Sequence, residues 1–397
     1  MATLARFIAE KYKDSIQSGI GKSMTKPSVL ILGAGLMQRP AILSAKELGF
    51  RAVVVDANPN AESVFLADEF KEIDLKAKDE ILNFAEELTE NSNLKGIFTA
   101  GTDFSASVSY AGEKLGFSCH SYEAALNATI KPRMRKCFER CDVPSPKYFS
   151  LSGAEITEKN VLSAVEKLSF PCVVKPADNM GARGCRMIRS MDEAWRSVKI
   201  AAGNSRTSTV ILEEYMEGPE FSIDAIVYNG TLTITGFADR HIFYKPYFIE
   251  TGHTMPSKID EKMRLELISA FADGVKALGL TCGAAKADIK YTEKGPQIGE
   301  IAARLSGGYM SGWTYPYSSG INLTAQALLV AAGKEPSGIL GGRIPLKTGN
   351  KNFEIFDCPS KNVSAERAWI SIPGKVKSLH LPEKESPVQN VFPRPVK

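Results

Sequence analysis

The stretch Cys282–Gly308, CGAAKADIKYTEKGPQIGEIAARLSGG, reads as two extended segments around a turn. Gly283 to Tyr291 is the first segment, Thr292 to Pro296 supplies the turn, and Gln297 to Ala302 is the second. A hairpin of this length sets Asp288 and Glu300, each flanked by apolar or small residues, across from one another on neighbouring strands. Like charges directly opposite on two strands are destabilising, so the pair calls for a compensating cation. A hard divalent ion fits, because Mg²⁺ takes one or two carboxylates and completes its shell with water and substrate phosphates. A solvated hairpin face is the other reading of the pair taken alone. Arg304 and the Ser306-Gly307-Gly308 turn follow at once, putting a fixed cation and an open backbone beside the carboxylates.

Upstream, the chain opens as a βαβ unit. Val29–Leu32 is a buried strand, Gly33-Ala34-Gly35 a turn, Gln38 to Leu48 a helix, and Ala52–Val55 a second strand ending at Asp56. An acid about 20 residues after a G-x-G turn belongs to the dinucleotide fingerprint, but Gln38 stands where its third glycine should be. A helix near Asp79 to Leu88, a strand Gly96–Thr99 and a helix Asp103 to Leu115 complete the unit. Its Gly101-Thr102-Asp103 turn lies at the carboxyl end of a strand, where open α/β sheets bind ligands. Gly21-Lys22-Ser23 resembles the end of a P-loop, yet Ile16 occupies the position that needs glycine and no strand precedes it.

A basic helix, Lys131 to Cys141, leads through Val143-Pro144-Ser145-Pro146 into a new unit. Pro171–Pro176 is a strand carrying Lys175, Ala177–Gly184 (ADNMGARG) a loop of small residues, and Cys185–Ile188 a returning strand. Such a loop can close over phosphates and donate backbone N–H groups to them; a flexible hairpin tip is the alternative. Thr209–Leu212 runs into Glu213-Glu214-Tyr215-Met216, and Tyr228-Asn229-Gly230 turns a hairpin between Phe221–Val227 and Leu232–Gly236. Asp239 to Ser257 reads as aromatic and irregular, holding His241, Lys245, Glu250 and His253. Glu261–Leu278 and Asn322–Ala332 are helical, and the chain from Gly341 is strand-rich.

Composition sets the limits. With 397 residues, 44% hydrophobic and 24% charged, the chain has room for two or three domains with sizeable cores. A formal net charge of +4, dispersed along the chain, is too mild for a nucleic-acid partner. No apolar run approaches a membrane span, and the charged N-terminus lacks the core of a signal peptide. Leu4, Phe7, Ile8, Tyr12 and Ile16 fall at helical spacing, which predicts a short docking helix. The seven cysteines include no C-x-x-C pair, so free thiols in a reducing cytoplasm are expected.

In this order the pieces resemble the ATP-grasp family, over roughly residues 28 to 380. KPRMRKCFERCDVPSP looks like the helix that opens the ATP-grasp region, with Lys131 in the phosphate-touching place. PCVVKP is similar to the strand with the second phosphate lysine, Lys175, and ADNMGARG to the glycine-rich loop, which contributes Gly181, Arg183 and Gly184. Glu213, Glu214 and Met216 resemble the adenine hinge and Glu220 the acid that holds the ribose. Asp288 and Glu300 match the metal carboxylates, and Arg304 the arginine facing the transferred phosphate. Members commonly place Asn two residues after the second carboxylate as a further ligand; here that residue is Ala302, which puts the metal number in question. EIAARLSGG, TGHTMPS and AWISIPGKV look most like the L-amino-acid ligase branch and its carbamoyl-phosphate-synthetase-like neighbours.

The resemblance implies an α/β chain with a Rossmann-like pre-ATP-grasp domain at 27–125, after a tail at 1–26. An ATP-grasp domain would follow at 126–335, its lid at about 147–212, and a small β-rich module at 336–397. It implies ATP with Mg²⁺ or Mn²⁺ as cofactors and an ADP-forming amide or peptide ligation through an acyl phosphate. A small-molecule carboxylate and an amine would be the substrates, one of them an amino acid, in a cytoplasmic homodimer whose first domain does not bind NAD. Lys175 and Arg304 would be catalytic, and His253 or Glu250 would take the amine's proton. A bicarbonate-activating carboxylase or carbamoyl-phosphate-type enzyme is the rival among enzymes. A non-catalytic ATP-binding assembly protein is the rival from another class.

Overall fold

A computed structural model describes residues 26–179 and 181–368, with Lys375, Lys377 and Ser378. The expected N-terminal helix, Gly21-Lys22-Ser23 and nearly all of AWISIPGKV lie outside the described residues.

The central strand β1 (Ser28–Leu32) is wholly buried and β2 (Arg51–Asp56) is apolar and buried between its end residues, as strands covered on both faces must be. With β3 (Glu69–Glu72) and β4 (Leu94–Phe98) they form a parallel sheet in the order β3-β2-β1-β4. Helices α1 (Arg39–Glu47), α2 (Lys78–Asn91) and α3 (Ser105–Lys114) connect or flank them. α4 (Tyr122–Thr129) and α5 (Lys131–Arg140) then lead away, α5 burying Lys131, Met134, Arg135, Cys137 and Phe138 on one face.

A second sheet is antiparallel in the order β5-β8-β6-β7, from β5 (Tyr148–Ser152), β6 (Cys172–Pro176), β7 (Arg186–Ile188) and β8 (Thr209–Glu214). α6 (Glu158–Leu168) and α7 (Met191–Gly203) lay Val161, Val165, Ala194 and Val198 against Val174, Val210 and Leu212 as its own core.

The third sheet carries most of the site. β9 (Glu220–Tyr228) turns through Asn229 and Gly230, both at positive φ as a tight hairpin turn requires, into β10 (Thr231–Phe243). β11 (Ile249–Met255), α8 (Glu261–Leu278), β12 (Gly283–Thr292) and β13 (Gly295–Ala302) follow, with strand order β13-β12-β9-β10-β11. The segment read as irregular is therefore two paired strands. Its alternation is obscured because Arg240, Glu250 and His253 are polar side chains satisfied by partners on the same sheet. α8 packs Leu267, Phe271 and Val275 with Ile298 and Ile301, and Gly274 lets it come close, since a Cβ there would meet Ile301 Cδ1 at 2.5 Å. On the opposite side, α1 and α10 (Leu323–Ala331), which follows α9 (Tyr315–Ser319), join the first domain to Ile226 and Ala284.

The last described strands extend this same sheet. β15 (Glu354–Asp357) pairs in parallel with the first half of β10, β14 (Ile344–Pro345) pairs with β15, and β16 (Ser364–Arg367) pairs antiparallel with β11.

Candidate active site

Between the second and third sheets lies a cleft of about 880 Å³, reached at one end by Gly101 and Met37 of the first domain. That volume suits a nucleotide-sized ligand.

The hairpin stands as its sequence implies. Asp288 of β12 is in register with Glu300 of β13, with a bulge between Asp288 and Ile289. Asp288 accepts from Ser222 Oγ (3.0 Å) and Lys286 Nζ (2.5 Å), and Arg240 lies 3.2 Å from its other oxygen. Burial pushes its carboxyl up, but Arg240 and Lys286 outweigh that and hold it far below the usual range. Glu300 has Lys131 Nζ at 3.8 Å and is 32% exposed to the cleft. Two facing carboxylates are a hard oxygen donor set that suits Mg²⁺, while Ala302 adds no donor.

Lys175 is held by a buried acid. Its Nζ lies 2.6 Å from Glu213 Oε2, and Glu213 Oε1 accepts from Arg135 Nε at 2.8 Å. Burial would raise the Glu213 carboxyl, yet Arg135 and Lys175 bring it down to about 2. Burial would lower the Lys175 ammonium, and Glu213 instead keeps it above its ordinary value. Arg135 also donates to Gly299 O at 2.7 Å, tying α5 to the hairpin. Glu213 thus spends its carboxylate beneath Lys175. Of the other hinge residues, Glu214 pairs with Lys294, and Met216 O accepts from Lys290 at 3.1 Å. Glu220 meets Arg240 at 2.5 Å and Lys290 at 3.3 Å.

The loop after Lys175 is pinned at its root: Lys131 N donates to Ala177 O (3.1 Å) and Lys131 Nζ to Asn179 O (3.0 Å). Gly181, Ala182 and Gly184 all have positive φ, and Gly181, Ala182 and Arg183 are exposed.

Arg304 is gripped by the first domain. Its Nε and one terminal nitrogen donate to Asp103 Oδ1 at 2.9 and 2.7 Å, and its other terminal nitrogen to Leu305 O at 3.0 Å. Burial would raise the Asp103 carboxyl; Arg304 outweighs it and lowers it. Asp224, wholly buried, accepts from Ser306 N (3.0 Å) and Ser306 Oγ (2.7 Å) and so fixes the Ser306–Gly308 turn.

The G-x-G turn of the first domain is filled from within. Gln38 Nε2 donates to Ala100 O (2.6 Å), and a Cβ on Gly33 would stand 2.9 Å from Gln38 Cδ. Asp56 caps the turn by accepting from Ala34 N at 2.7 Å.

The sequence reading missed Arg135, Ser222, Arg240, Lys286, Lys290 and Glu366. Strand alternation was the available signal for Lys286 and Lys290, each two residues from Asp288, and the i,i+4 spacing from Lys131 for Arg135. Glu366 gave none.

Residues 168–312 match the ATP-grasp domain family. Carnosine synthase 1 of Mus musculus is 24% identical over 336 residues, covering 79% of this chain and 40% of the relative. D-alanine–D-alanine ligase of Pseudomonas entomophila is 28% identical over 176 residues, 43% of this chain and 53% of the relative. The chain thus spans well under two thirds of these curated relatives. Among solved structures, the L-amino acid ligase from Bacillus licheniformis superposes with a TM-score of 0.67 at 19% identity, covering 81% of this chain and 79% of that one, a likeness of fold. No helix among the described residues is long and apolar enough to cross a membrane.

Proposed function

We propose, from the ATP-grasp domain that this chain carries at residues 168–312, that it is an ADP-forming ligase joining a small-molecule carboxylate to an amine. One of the two substrates is an amino acid. The observation that carries this reading is the convergence of Lys131, Lys175 and Arg304 with Asp288 and Glu300 on one cleft. On this reading the chain works in the cytoplasm as a homodimer.

An amide does not form from a free carboxylate and an amine in water without activation. A substrate carboxylate oxygen would attack the γ-phosphorus of ATP, ADP would leave, and an acyl phosphate would result. The amine then attacks the acyl carbon, phosphate leaves, and an N–H proton goes to a base. Mg²⁺, or Mn²⁺ in its place, would be held by Asp288 and Glu300 and supplies charge neutralisation at the phosphate oxygens when bound. Lys131, Lys175 and Arg304 would neutralise the crowded anionic oxygens of the first step. The Glu214–Met216 segment would receive the base and Glu220 the ribose. Glu250 makes a poor base: burial raises its carboxyl, but Arg240, bonded at 2.9 and 2.6 Å, overrides that and lowers it. His253 is the acceptor we assign.

The test is ATP turnover across a grid of amino acids, singly and in pairs, with Mg²⁺. Phosphate release should need two substrates and yield ADP. AMP as the main nucleotide product would overturn the acyl-phosphate reading in favour of an adenylate. Turnover with bicarbonate and no amino acid would transfer the assignment to a carboxylase.

The 177–184 loop is a phosphate lid on the same reading. Trypsin should cut after the exposed Arg183, and saturating MgATP should slow that cut. At a hundredfold excess over Kd, ligand linkage adds about 2.7 kcal/mol to local opening, roughly a hundredfold in cleavage. Mapped fragments that form equally fast with and without nucleotide would rule the lid out.

A further inference from the structure

At the cleft wall formed by Glu250 and His253 stands a group that the phosphoryl-transfer step does not use. Glu250, His253 and Glu366 bring ligand-type side-chain atoms within 4.8 Å of one another. His253 is 2% exposed, and its Nδ1 lies 2.7 Å from Glu366 Oε1. The second oxygen of Glu366 accepts from Thr314 Oγ1 at 2.8 Å. His253 Nε2 faces Glu250 at 3.9 Å, and both residues line the cleft. The turn that follows Arg304 abuts the cluster, since a Cβ on Gly308 would lie 2.9 Å from Glu250 Oε1 and 3.6 Å from Glu366 Oε1.

Glu366 arrives there by strand pairing. Within β16 it is in register with His253 of β11. Gly252 makes the pairing possible: its φ is +143°, and a Cβ there would stand 2.0 Å from Glu366 O. Arg367 then donates to His253 O at 2.6 Å and Thr254 Oγ1 at 2.7 Å, fixing the strand end.

The hydrogen-bond chemistry selects one tautomer. An ionised carboxylate only accepts, so Nδ1 carries the proton of this hydrogen bond, and in the neutral ring Nε2 is then the lone-pair nitrogen, facing Glu250. Charged or titratable groups facing the ring are Glu250 on its own strand, Glu366 and Arg367 on β16, and Arg240 and His241 on β10. Arg240 engages Glu250 with two nitrogens, which leaves Glu250 little hold on a proton at Nε2.

We propose that Glu366 is a positioning residue for the amide-forming step: it holds His253 in the Nδ1-protonated tautomer, with Nε2 open to receive the proton of the attacking amine. This rests on the ligase reading above. In the step, one proton of the amine's ammonium form passes to Nε2 and frees the lone pair, the C–N bond forms, the bond from the acyl carbon to the phosphate oxygen breaks, and inorganic phosphate departs with the electron pair and takes up the second N–H proton. Glu366 takes no proton; it stabilises the imidazolium that forms, as a carboxylate behind a histidine does.

Two measurements on the full chain test it. The first needs no substrate. The sequence holds only four histidines, so ¹⁵N-histidine labelling gives a readable spectrum. His120 is an internal standard of the opposite tautomer, because its Nδ1 accepts from Thr281 N and Cys282 N at 3.1 and 3.2 Å while Nε2 meets Ala284 O at 2.9 Å. His253 should be Nδ1-protonated in the wild type and in E366Q, whose amide oxygen still accepts, and should lose that preference in E366A. The His120 signal should persist throughout. The second compares glycine with hydroxylamine as acceptor, over the twenty amino acids as carboxylates. Hydroxylamine is uncharged at neutral pH and needs no proton removed before it attacks. E366A should cut amide formation about a hundredfold while hydroxamate formation falls only a fewfold, with E366Q recovering much of the amide rate.

An unchanged His253 tautomer in E366A would overturn the proposal. So would equal losses of amide and hydroxamate, which would make Glu366 merely structural. If wild-type protein forms neither product with any amino acid, the ligase reading fails, while the tautomer result still decides whether Glu366 sets the ring.

Discussion

Arg135→Met should cost about 3–5 kcal/mol of folding stability, the range for removing one partner of a buried ion pair. Arg135 and Glu213 are both about 1% exposed, and only Lys175 would remain to balance the acid. Met keeps the stem of the side chain, so lost packing is a small part of the effect. The Gly299 carbonyl would lose its donor as well. Urea unfolding with matched m-values measures the change, and a loss below about 1 kcal/mol, the range of exposed pairs, would show that water reaches the cluster. The same cluster gives the protein an acid edge. The Glu213 carboxyl falls from an ordinary 4.5 to about 2 on folding. Its contribution is therefore complete above the unfolded value and is lost as pH falls from about 4.5 to about 2. The shift is worth about 3 kcal/mol, and Glu213→Gln should flatten that part of the stability profile.

Glu300→Gln should reduce turnover by at least a hundredfold, the scale of removing one group that stabilises transition-state charge, and leave stability within about 0.5 kcal/mol. The side chain is 32% exposed and its ion-pair partner, Lys131, is 3.8 Å away, so the fold asks little of it. Asp288→Asn should be equally inactive and also less stable, because Arg240 and Lys286 would face each other without the carboxylate between them. Mn²⁺ binding in the presence of ADP, followed alongside turnover, separates loss of metal from loss of fold. A Glu300→Gln protein retaining more than about a tenth of the rate, a barrier change of only ~1.4 kcal/mol, would mean the hairpin does not hold the metal.

The hairpin was readable from sequence because two devices agree: strand alternation fixes which face Asp288 and Glu300 share, and Gly295, at positive φ, closes the turn that sets register. The βαβ opening was equally legible from its unbroken apolar run. Its turn was not, since only the structure shows Gln38 packed into it against Gly33 and bonded to Ala100 O. Across 239–257 the pattern failed for a physical reason: polar side chains on β10 and β11 neutralise one another within the sheet, so the apolar rhythm that marks a half-buried strand is missing. Asp103 stood in a turn already expected to face a ligand, but its partner lies 201 residues away and no local pattern predicts it. Glu366 sits in SAER, a run of ordinary surface composition. Its place depends on pairing across more than a hundred residues, and on a glycine whose purpose is visible only once β16 lies against it.

The third sheet is assembled out of chain order, and this bears on how the protein is made. Its strands from β9 to β13 are translated first, while β16, which covers the outer edge of β11, comes last among the described strands. At a synthesis rate of about 5–20 residues per second, the roughly sixty residues between Arg304 and Glu366 occupy about 3–12 s. Throughout that interval a nascent chain can have its carboxylate hairpin and much of its core formed, with the β11 edge still bare. Unpaired N–H and C=O groups on such an edge are a template for pairing with another chain. A ribosome that stalls before Ser364 would therefore leave a protein with its outer strand missing, and that exposed edge is where quality control would have to act.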